Sequence, residues 1–344
     1  MFLETGEKKT LTKFGKLEIV NAHAFSKGCN GYQISPFLQE LMIYAGQLDS
    51  YQLCNEILQK FLDIQVSATQ VFRVTNTYGE QIVKDDQIPN TLPLKKDEVL
   101  YAQADGSMIF TREDGWKEVK VGRLFKAEDR LKITSKKGWI KKSHYVAHLG
   151  NSKDFIEKME SRIDNYGCLN KRLVFISDGA AWIKNWVADS YPQAIQILDY
   201  YHACEHLYAF CNEYFDDKTQ GRLYSKQQEK ILLKSQVIKV IKNLEALPVK
   251  NKQTTKHCLQ LIQYYQNNKD RMDYKYYKQI GCAIIGSGAI EAAHRTVVQR
   301  RLKLSGQRWN KSGAQNVLNL RTSEMSGEWY KIINLVKTEF KKAA

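Results

Sequence analysis

The order of apolar and polar residues predicts β-strands in the middle of the chain. Short apolar runs, each ended by polar residues or glycine, recur from residue 98 onward. Helices are expected at Lys153–Tyr166 and Ala181–Ala188. The expected strands are EVLYAQADG (98–106), Lys117–Phe125, Leu131–Ala147, RLVFISDGA (172–180) and AIQILDYYH (194–202). Strands followed by alternating strand and helix predict an α/β fold with a mixed sheet.

Helical spacing of apolar residues dominates the flanking segments. Residues 207–280 have this spacing and no β pattern, so we expect an all-helical insertion in a core formed by 98–206 and 281–325. A basic helix or tail is expected at 326–344. Residues 1–97 predict a mainly helical N-terminal domain that also contains a hairpin-like stretch, Leu11–Phe25. It ends in a polar linker, 81–97, which carries two of the five prolines.

A helix-turn-helix is a candidate at about residues 49–80. The apolar stripe of Tyr51–Leu62 predicts a first helix, and Ser67 and Gln70 have the spacing of a capping box that would begin a second. In that arrangement the exposed Thr69, Gln70 and Arg73 would face a DNA groove. The alternative is a plain helical hairpin, which the net charge of −1 on residues 1–97 (10 basic and 11 acidic side chains) favours.

The overall charge indicates a polyanionic partner. The 52 Lys and Arg outnumber the 37 Asp and Glu, and the formal net charge is +15. Such an excess suits nucleic acid or an anionic membrane surface. The last 53 residues hold 11 basic and 3 acidic side chains, so much of the excess lies at the end of the chain.

Two classes of protein are not expected from the sequence. No apolar run approaches the roughly 18 residues of a membrane span, and the start lacks the apolar region of a secretory signal, so we expect a soluble intracellular protein. The seven cysteines never form a C-x-x-C pair. Reduced thiols are therefore expected instead of a disulfide framework or a structural zinc knot.

Acidic residues at strand ends are the strongest sign of chemistry. Two predicted strands end in Asp-Gly, at Asp105 and Asp178. A carboxylate beside apolar walls is costly unless a cation neutralises it, and carboxylate oxygens are ligands for Mg²⁺. The alternative is that each Asp-Gly is an ordinary turn dipeptide.

A third carboxylate, Glu291, lies in the first turn of a predicted helix. Gly286-Ser287-Gly288 precedes it, and His294 and Arg295 follow on the same helical face. Such a helix could hold a metal at one end and rest on phosphates along its basic remainder. Alternatively, it is a solvated basic helix in which Glu291 stabilises the N-terminal dipole.

Residues just after the fifth predicted strand allow a different chemistry. His202-Ala203-Cys204-Glu205-His206 matches the inverted zinc-protease motif H-x-x-E-H. Two histidines four residues apart on a helix can face one zinc, with Glu205 as the base. This alternative leaves Asp105, Asp178 and the basic C-terminal segment unexplained.

Taken in order, these residues resemble the DD(E) transposases of bacterial insertion sequences, and most closely their Mutator-like branch with its Kra-type members. LDYYHACEHL is similar to the D-x-x-H motif of that branch, here Asp199 and His202. GSGAIEAAHRTVVQRRLKLSGQRW is similar to its glutamate-bearing helix and the tryptophan after it, here Glu291 and Trp309. The resemblance covers most of the chain.

The resemblance implies a fold, an activity and partners. The fold would be an RNase H-like mixed sheet with a helical insertion. Asp105, Asp178 and Glu291 would bind two Mg²⁺ or Mn²⁺ ions about 4 Å apart, with His202 near the scissile phosphate and Asp199 positioning it. The protein would cut and join double-stranded DNA at the terminal inverted repeats of its element and in target DNA. It would act in the bacterial cytoplasm with the nucleoid, as a homodimer or larger assembly on DNA.

Basic side chains and one tryptophan are the candidate DNA contacts outside the helix-turn-helix. Phosphate contacts of this kind release counterions, so binding should weaken steeply with salt. The candidates are Lys136, Lys137, Lys141, Lys142, Arg295, Arg300, Arg301, Lys303, Arg308 and Trp309. A DNA-binding descendant of a transposase that has lost catalysis is the remaining alternative.

Overall fold

The structure is a computed structural model that describes residues 8–12, 15–19, 30–84, 94–95, 98–133, 138–167, 172–282 and 284–338. Its strands are β1 (Lys8–Thr12), β2 (Gly15–Ile19), β3 (Leu100–Thr111), β4 (Gly115–Lys126), β5 (Arg130–Lys132), β6 (Gly138–Ile140), β7 (His144–Leu149), β8 (Leu173–Ser177) and β9 (Ile195–Leu198). Its α-helices are α1 (Pro36–Leu48), α2 (Tyr51–Leu62), α3 (Ala68–Lys84), α4 (Ser152–Asn165), α5 (Ala181–Ser190), α6 (Tyr200–Tyr214), α7 (Lys218–Leu233), α8 (Val237–Glu245), α9 (Lys252–Asn268), α10 (Tyr274–Gln279), α11 (Gly288–Ala293), α12 (Arg300–Leu302), α13 (Lys311–Met325) and α14 (Tyr330–Leu335).

A five-stranded mixed sheet forms the centre of the molecule, which confirms the predicted α/β class. The strand order is β7-β4-β3-β8-β9. The first three strands pair antiparallel, and β3, β8 and β9 run parallel to one another. The central parallel strand, β8, is buried along its whole length, as its continuous apolar sequence requires.

Alternate residues of the sheet enter two different hydrophobic clusters. Ala102, Ala104 and Phe175 face helices α4 and α5. Tyr101, Val174, Ile176 and their neighbours face a cluster formed largely by the helices between β9 and α11. The helical segment that follows β9 therefore covers one face of the sheet.

Two strand predictions need correction. The strand through Asp105 does not end at Asp105-Gly106, because residues up to Thr111 continue to pair antiparallel with β4. Its parallel neighbour β8 stops earlier, and the last pair in that register is Gln103 with Ile176. The strand predicted at Leu131–Ala147 is instead the separate hairpin of β5 and β6, followed by β7.

The N-terminal segments are helical, with one short hairpin. β1 and β2 pair antiparallel from Lys8 to Ile19, which is earlier than the predicted Leu11–Phe25, and residues 20–29 lie outside those described. Most of the predicted linker, including 85–93, also lies outside them. Helices α1 to α3 share one hydrophobic cluster with α13 and α14, in which Tyr78 meets Leu320 and Ile332.

In the described part of the chain, no helix combines the length and the apolar character that a bilayer crossing requires.

Candidate active site

Three aspartates lie at one level, the first within β3 and the other two just past the ends of the neighbouring parallel strands β8 and β9. The pairing of Gln103 with Ile176, continued two residues further, sets Asp105 opposite Asp178. The pairing of Ser177 with Leu198, continued one residue further, sets Asp178 opposite Asp199. Residues at one level of parallel strands point to the same face, so the register brings the three carboxyl groups to one face of the sheet.

Asp105 is half-buried and surrounded by polar groups. Its Oδ1 accepts a hydrogen bond from the Gly106 N–H at 2.7 Å, and its Oδ2 lies 3.4 Å from Nε2 of His294. Burial raises the pKa of Asp105, and the nearby Asp178 carboxylate adds to this, whereas His294 and His202 oppose it. The protein thus holds a desolvated carboxylate here, which a cation would stabilise.

The Ser287 hydroxyl lies between Asp199 and the predicted glutamate. It donates a hydrogen bond to Oδ2 of Asp199 and lies 3.5 Å from Oε1 of Glu291. Asp199 is almost fully buried, and its other oxygen accepts the Tyr201 N–H at 2.8 Å. Asp199 is thus both the N-cap of α6 and an anchor for the start of α11.

The segment before α11 is tied to the sheet by its backbone. The side chain of Gln103 donates to the Gly286 carbonyl at 3.1 Å, and the Tyr200 N–H donates to the Ile285 carbonyl at 3.0 Å. A Cβ on Gly286 would lie 2.3 Å from the ring of Tyr201. The chain passes directly against that ring, so a larger residue at 286 would have to displace it.

The helix that carries Glu291 packs on the antiparallel part of the sheet. Ile290, Ala293 and Val297 enter a hydrophobic cluster with Val119 and Val121 of β4. The exposed Glu291 side chain lies near the start of α11, and a π-helical segment, His294–Gln299, follows before α12. Such segments occur frequently at functional sites.

Asp178 is held by α5 and by the helical segment after β9. Its Oδ1 accepts the Ala180 N–H at 3.1 Å, and its carbonyl accepts the hydroxyl of Tyr264 at 2.9 Å. Gly179 has φ +109°, a conformation that favours glycine. Tyr264, on α9, therefore fixes the turn that presents Asp178.

The two histidines of the H-x-x-E-H sequence lie side by side on α6. Nε2 of His202 and Nε2 of His206 are 3.1 Å apart, and Glu205 Oε2 is 3.5 Å from Nδ1 of His202. Among the residues that the structure describes, no three His, Cys, Asp or Glu side chains already converge as a metal site would require. To bind an ion, the carboxylates of Asp105, Asp178 and Glu291 would have to move closer together, and the two histidines would have to gain a further ligand.

The predicted DNA-contacting residues differ in their exposure. Thr69 and Arg73 are exposed and Gln70 is half-buried, and the Gln70 N–H donates to Ser67 Oγ at 3.1 Å, as the cap predicts. Lys136 and Lys137 lie outside the described residues. The exposed predicted contacts elsewhere are Lys141, Lys142, Arg295, Arg300, Lys303 and Arg308.

Two of the predicted DNA contacts, Arg301 and Trp309, are buried. Arg301 is only 1% exposed, and its guanidinium lies 4.8 Å from the ring centre of Tyr51 and 4.7 Å from that of Trp309. Trp309 is 7% exposed, and its indole N–H donates to the Leu302 carbonyl at 3.1 Å. Neither side chain presents an open surface to a base, because each is enclosed by packing against the other.

Sequence analysis did not assign a role to Ser287 or Gln103. Ser287 lies in the conspicuous Gly-Ser-Gly segment, but its partner Asp199 is 88 residues away, so no local pattern predicts their bond. His294 was recognised only by its helical spacing from Glu291; its contact with Asp105 depends on how α11 packs on the sheet.

Comparison with known proteins places the chain in a family. One similar curated protein is the "UPF0236 protein in vanSb 3′region" of Streptococcus gallolyticus, which is 25% identical over 260 residues. The alignment covers 74% of this chain and 55% of that relative, so the chain spans about half the length of the curated protein it matches. The profile of the group described as "Uncharacterised protein family (UPF0236)" matches residues 35–339. The chain therefore belongs to the UPF0236 family.

Proposed function

We propose that the protein is a DNA transposase of the DD(E) type, which cuts and joins DNA strands at the ends of an insertion sequence. The observation that carries the proposal is the common level of Asp105, Asp178 and Asp199, together with the Ser287 hydroxyl that donates to Asp199 and lies 3.5 Å from Glu291. We infer that the mixed sheet is RNase H-like, since its acids come from adjacent strands and from a helix that follows a helical insertion.

The donor groups suit a magnesium or manganese centre. Asp105, Asp178 and Glu291 offer carboxylate oxygens, the ligands that these ions prefer. Two such ions, when bound, supply Lewis acidity to the attacking and the leaving oxygen of a phosphodiester. Because Asp105 is desolvated and Glu291 is exposed, the glutamate side chain is the one free to move toward an ion.

Other residues of the chain would position the substrate. Asp199, held by Ser287 and the N-terminus of α6, fixes the backbone from which His202 extends toward the carboxylates. The exposed Arg295 and Arg300 follow Glu291, where they would bind the DNA backbone. Action on DNA places the protein in the bacterial cytoplasm with the nucleoid, and joining two element ends calls for a dimer or larger assembly.

Strand cleavage of a duplex that carries the terminal repeats of the element, with Mg²⁺, tests the proposal. Asp105→Asn, Asp178→Asn and Glu291→Gln should each reduce cleavage at least about a hundredfold, because each removes several kcal/mol of charge stabilisation. DNA binding should be largely kept. Glu245→Gln, at an exposed acid on α8, is the matched control and should cleave normally. Glu205→Gln, beside His202, tests the histidine pair instead.

The outcomes separate the alternatives. Full cleavage by any of the three acid variants would contradict the proposal. Loss of activity in Glu205→Gln, with zinc retained through dialysis, would instead support the zinc hydrolase built on His202 and His206. DNA binding without any product, under Mg²⁺ and Mn²⁺ alike, would identify a DNA-binding descendant without catalysis.

A further inference from the structure

A cavity of about 400 Å³ lies between the candidate helix-turn-helix and the segment that follows α12. Its walls combine aromatic rings with arginines, a lining typical of sites for phosphorylated ligands. Six of the lining residues matter here: Tyr51, Phe72, Arg112, Arg301, Arg308 and Trp309. None of the three arginines belongs to the carboxylate site.

Arg301 gives this cavity an unsatisfied cationic donor. Its Nε donates to the Gly46 carbonyl at 3.0 Å, and its guanidinium lies between the rings of Tyr51 and Trp309. Its Nη2 is buried and has no hydrogen-bond acceptor in the described structure. A buried charged donor without an acceptor is unfavourable, so an anionic oxygen in the cavity would stabilise it.

Two exposed arginines extend the positive charge to the rim. Nε of Arg112 donates to the Arg308 carbonyl at 3.3 Å, and the Arg308 guanidinium lies 5.6 Å from the ring centre of Phe110. Neither contact neutralises the charge of an arginine.

The acids beside Arg112 are already occupied. Glu113 accepts the backbone N–H of Lys311 at 3.1 Å, and Asp114 pairs with the side chains of Lys311 at 3.0 Å and Lys117 at 3.4 Å. Asp114 is thus paired with lysines, and Glu113 alone keeps its charge, so the two arginines leave the rim with a net positive charge that is available to a ligand.

We propose that this cavity binds a phosphodiester group of the DNA backbone, with the phosphate on Arg112, Arg301 and Arg308. The volume exceeds that of a phosphate alone and leaves room for the attached sugar against the ring of Phe72. Phe72 lies on α3, next to Arg73, so a strand held here would lie beside the helix predicted to enter a groove. The choice of DNA as the source of the phosphate rests on the proposed function. That the cavity binds an anion is argued from its arginines alone and does not rest on that function.

The test uses the full-length protein with two probes, a labelled random-sequence duplex and inorganic phosphate. Arg112→Gln, Arg308→Gln and the double variant avoid Arg301, whose packing role would confuse a result. Lys239→Gln, an exposed lysine on α8, is the matched control. Each arginine removed should lower the slope of log affinity against log salt by about one, and the control should not. Inorganic phosphate should raise the melting temperature of the wild type and not that of the double variant.

Each outcome decides the assignment. Unchanged salt slope and unchanged phosphate stabilisation in the double variant would overturn it. Lost phosphate stabilisation with unchanged DNA binding would overturn DNA as the source of the phosphate. Because these assays measure binding alone, a protein that uses these arginines for DNA but never cleaves it would contradict the proposed function and leave the cavity assignment intact.

Discussion

At the scale of single residues, the site depends on small groups that no charge pattern reveals. The Ser287 hydroxyl donates to Asp199, and the missing side chain of Gly286 lets the backbone pass the ring of Tyr201. These two neighbours place the start of α11 against the sheet. The position of the third carboxylate therefore depends on close packing as much as on its own chemistry.

Gly286→Ala should disturb this packing, whereas Gly288→Ala should not. A Cβ at 286 would lie 2.3 Å from the Tyr201 ring, while a Cβ at 288 would meet no atom within 4 Å. We expect Gly286→Ala to lose about 1–3 kcal/mol in unfolding free energy and to lower cleavage, because the segment must shift. Gly288→Ala should be close to neutral. Urea unfolding measures both, and equal stability of the two variants would contradict the packing role of Gly286.

Stability should depend on pH through His144. Burial lowers the pKa of His144 to about 4, and Arg162 and Lys331 contribute, while Glu328 opposes them. The unfolded chain takes up a proton near pH 6.5 and the folded chain does not, so folding loses stability as the pH falls below about 6.5. The loss levels off only near pH 4.

The measurement is urea unfolding of the wild type and of His144→Gln at pH 7 and pH 5. The wild type should lose about 2 kcal/mol more than the variant over this interval, since only the wild type carries the suppressed proton uptake. An equal loss in both proteins would show that His144 is not the group responsible.

At the scale of elements, the sequence predicts the buried strands that lead to the aspartates, but it does not predict where each strand ends. The apolar runs before Asp105, Asp178 and Asp199 predicted the strands, because buried parallel strands need such runs. The continuation of β3 to Thr111 was not predicted. Hydrogen bonds to the antiparallel strand β4 keep the chain extended past Asp105-Gly106, and the sequence of β3 alone does not reveal that partner. A local sequence pattern therefore predicts the start of a strand more reliably than its end, because the end depends on the strand with which it pairs.

The π-helical segment after Glu291 depends on one buried arginine. Nε of Arg321 donates to the carbonyls of Thr296 at 3.1 Å and Val297 at 2.9 Å, and its Nη1 donates to the Gln47 carbonyl at 2.8 Å. It thus connects α13 with α1 and with carbonyls of the π-helical segment. Burial lowers the pKa of Arg321 to about 10, yet it stays charged at neutral pH.

Arg321→Met should lose about 3 kcal/mol or more in unfolding free energy, because it leaves several buried carbonyls without a donor. Arg300→Met, at an exposed position on α12, is the matched control and should change stability by less than about 0.5 kcal/mol. Both are measured by urea unfolding at neutral pH. A loss in Arg321→Met no larger than that of the control would contradict the connecting role.

At the scale of the whole molecule, packing over long sequence distances explains why two of the predicted DNA contacts are buried. Arg301 and Trp309 belong to a basic stretch that resembles a phosphate-binding helix. The Arg301 guanidinium packs against the rings of Tyr51 and Trp309, and its Nε donates to the Gly46 carbonyl, 255 residues away in the chain. No local pattern contains that contact. The N-terminal helices likewise share their core with α13 and α14, which a division into successive segments does not predict.

The location of Mn²⁺ in crystals of the full-length protein tests the central claim most directly. An anomalous difference map should show manganese bound by the carboxylates of Asp105, Asp178 and Glu291, and the signal should be lost in Asp178→Asn. Manganese bound only elsewhere, such as between His202 and His206, at a concentration that supports cleavage, would contradict the claim that these three carboxylates form the catalytic centre.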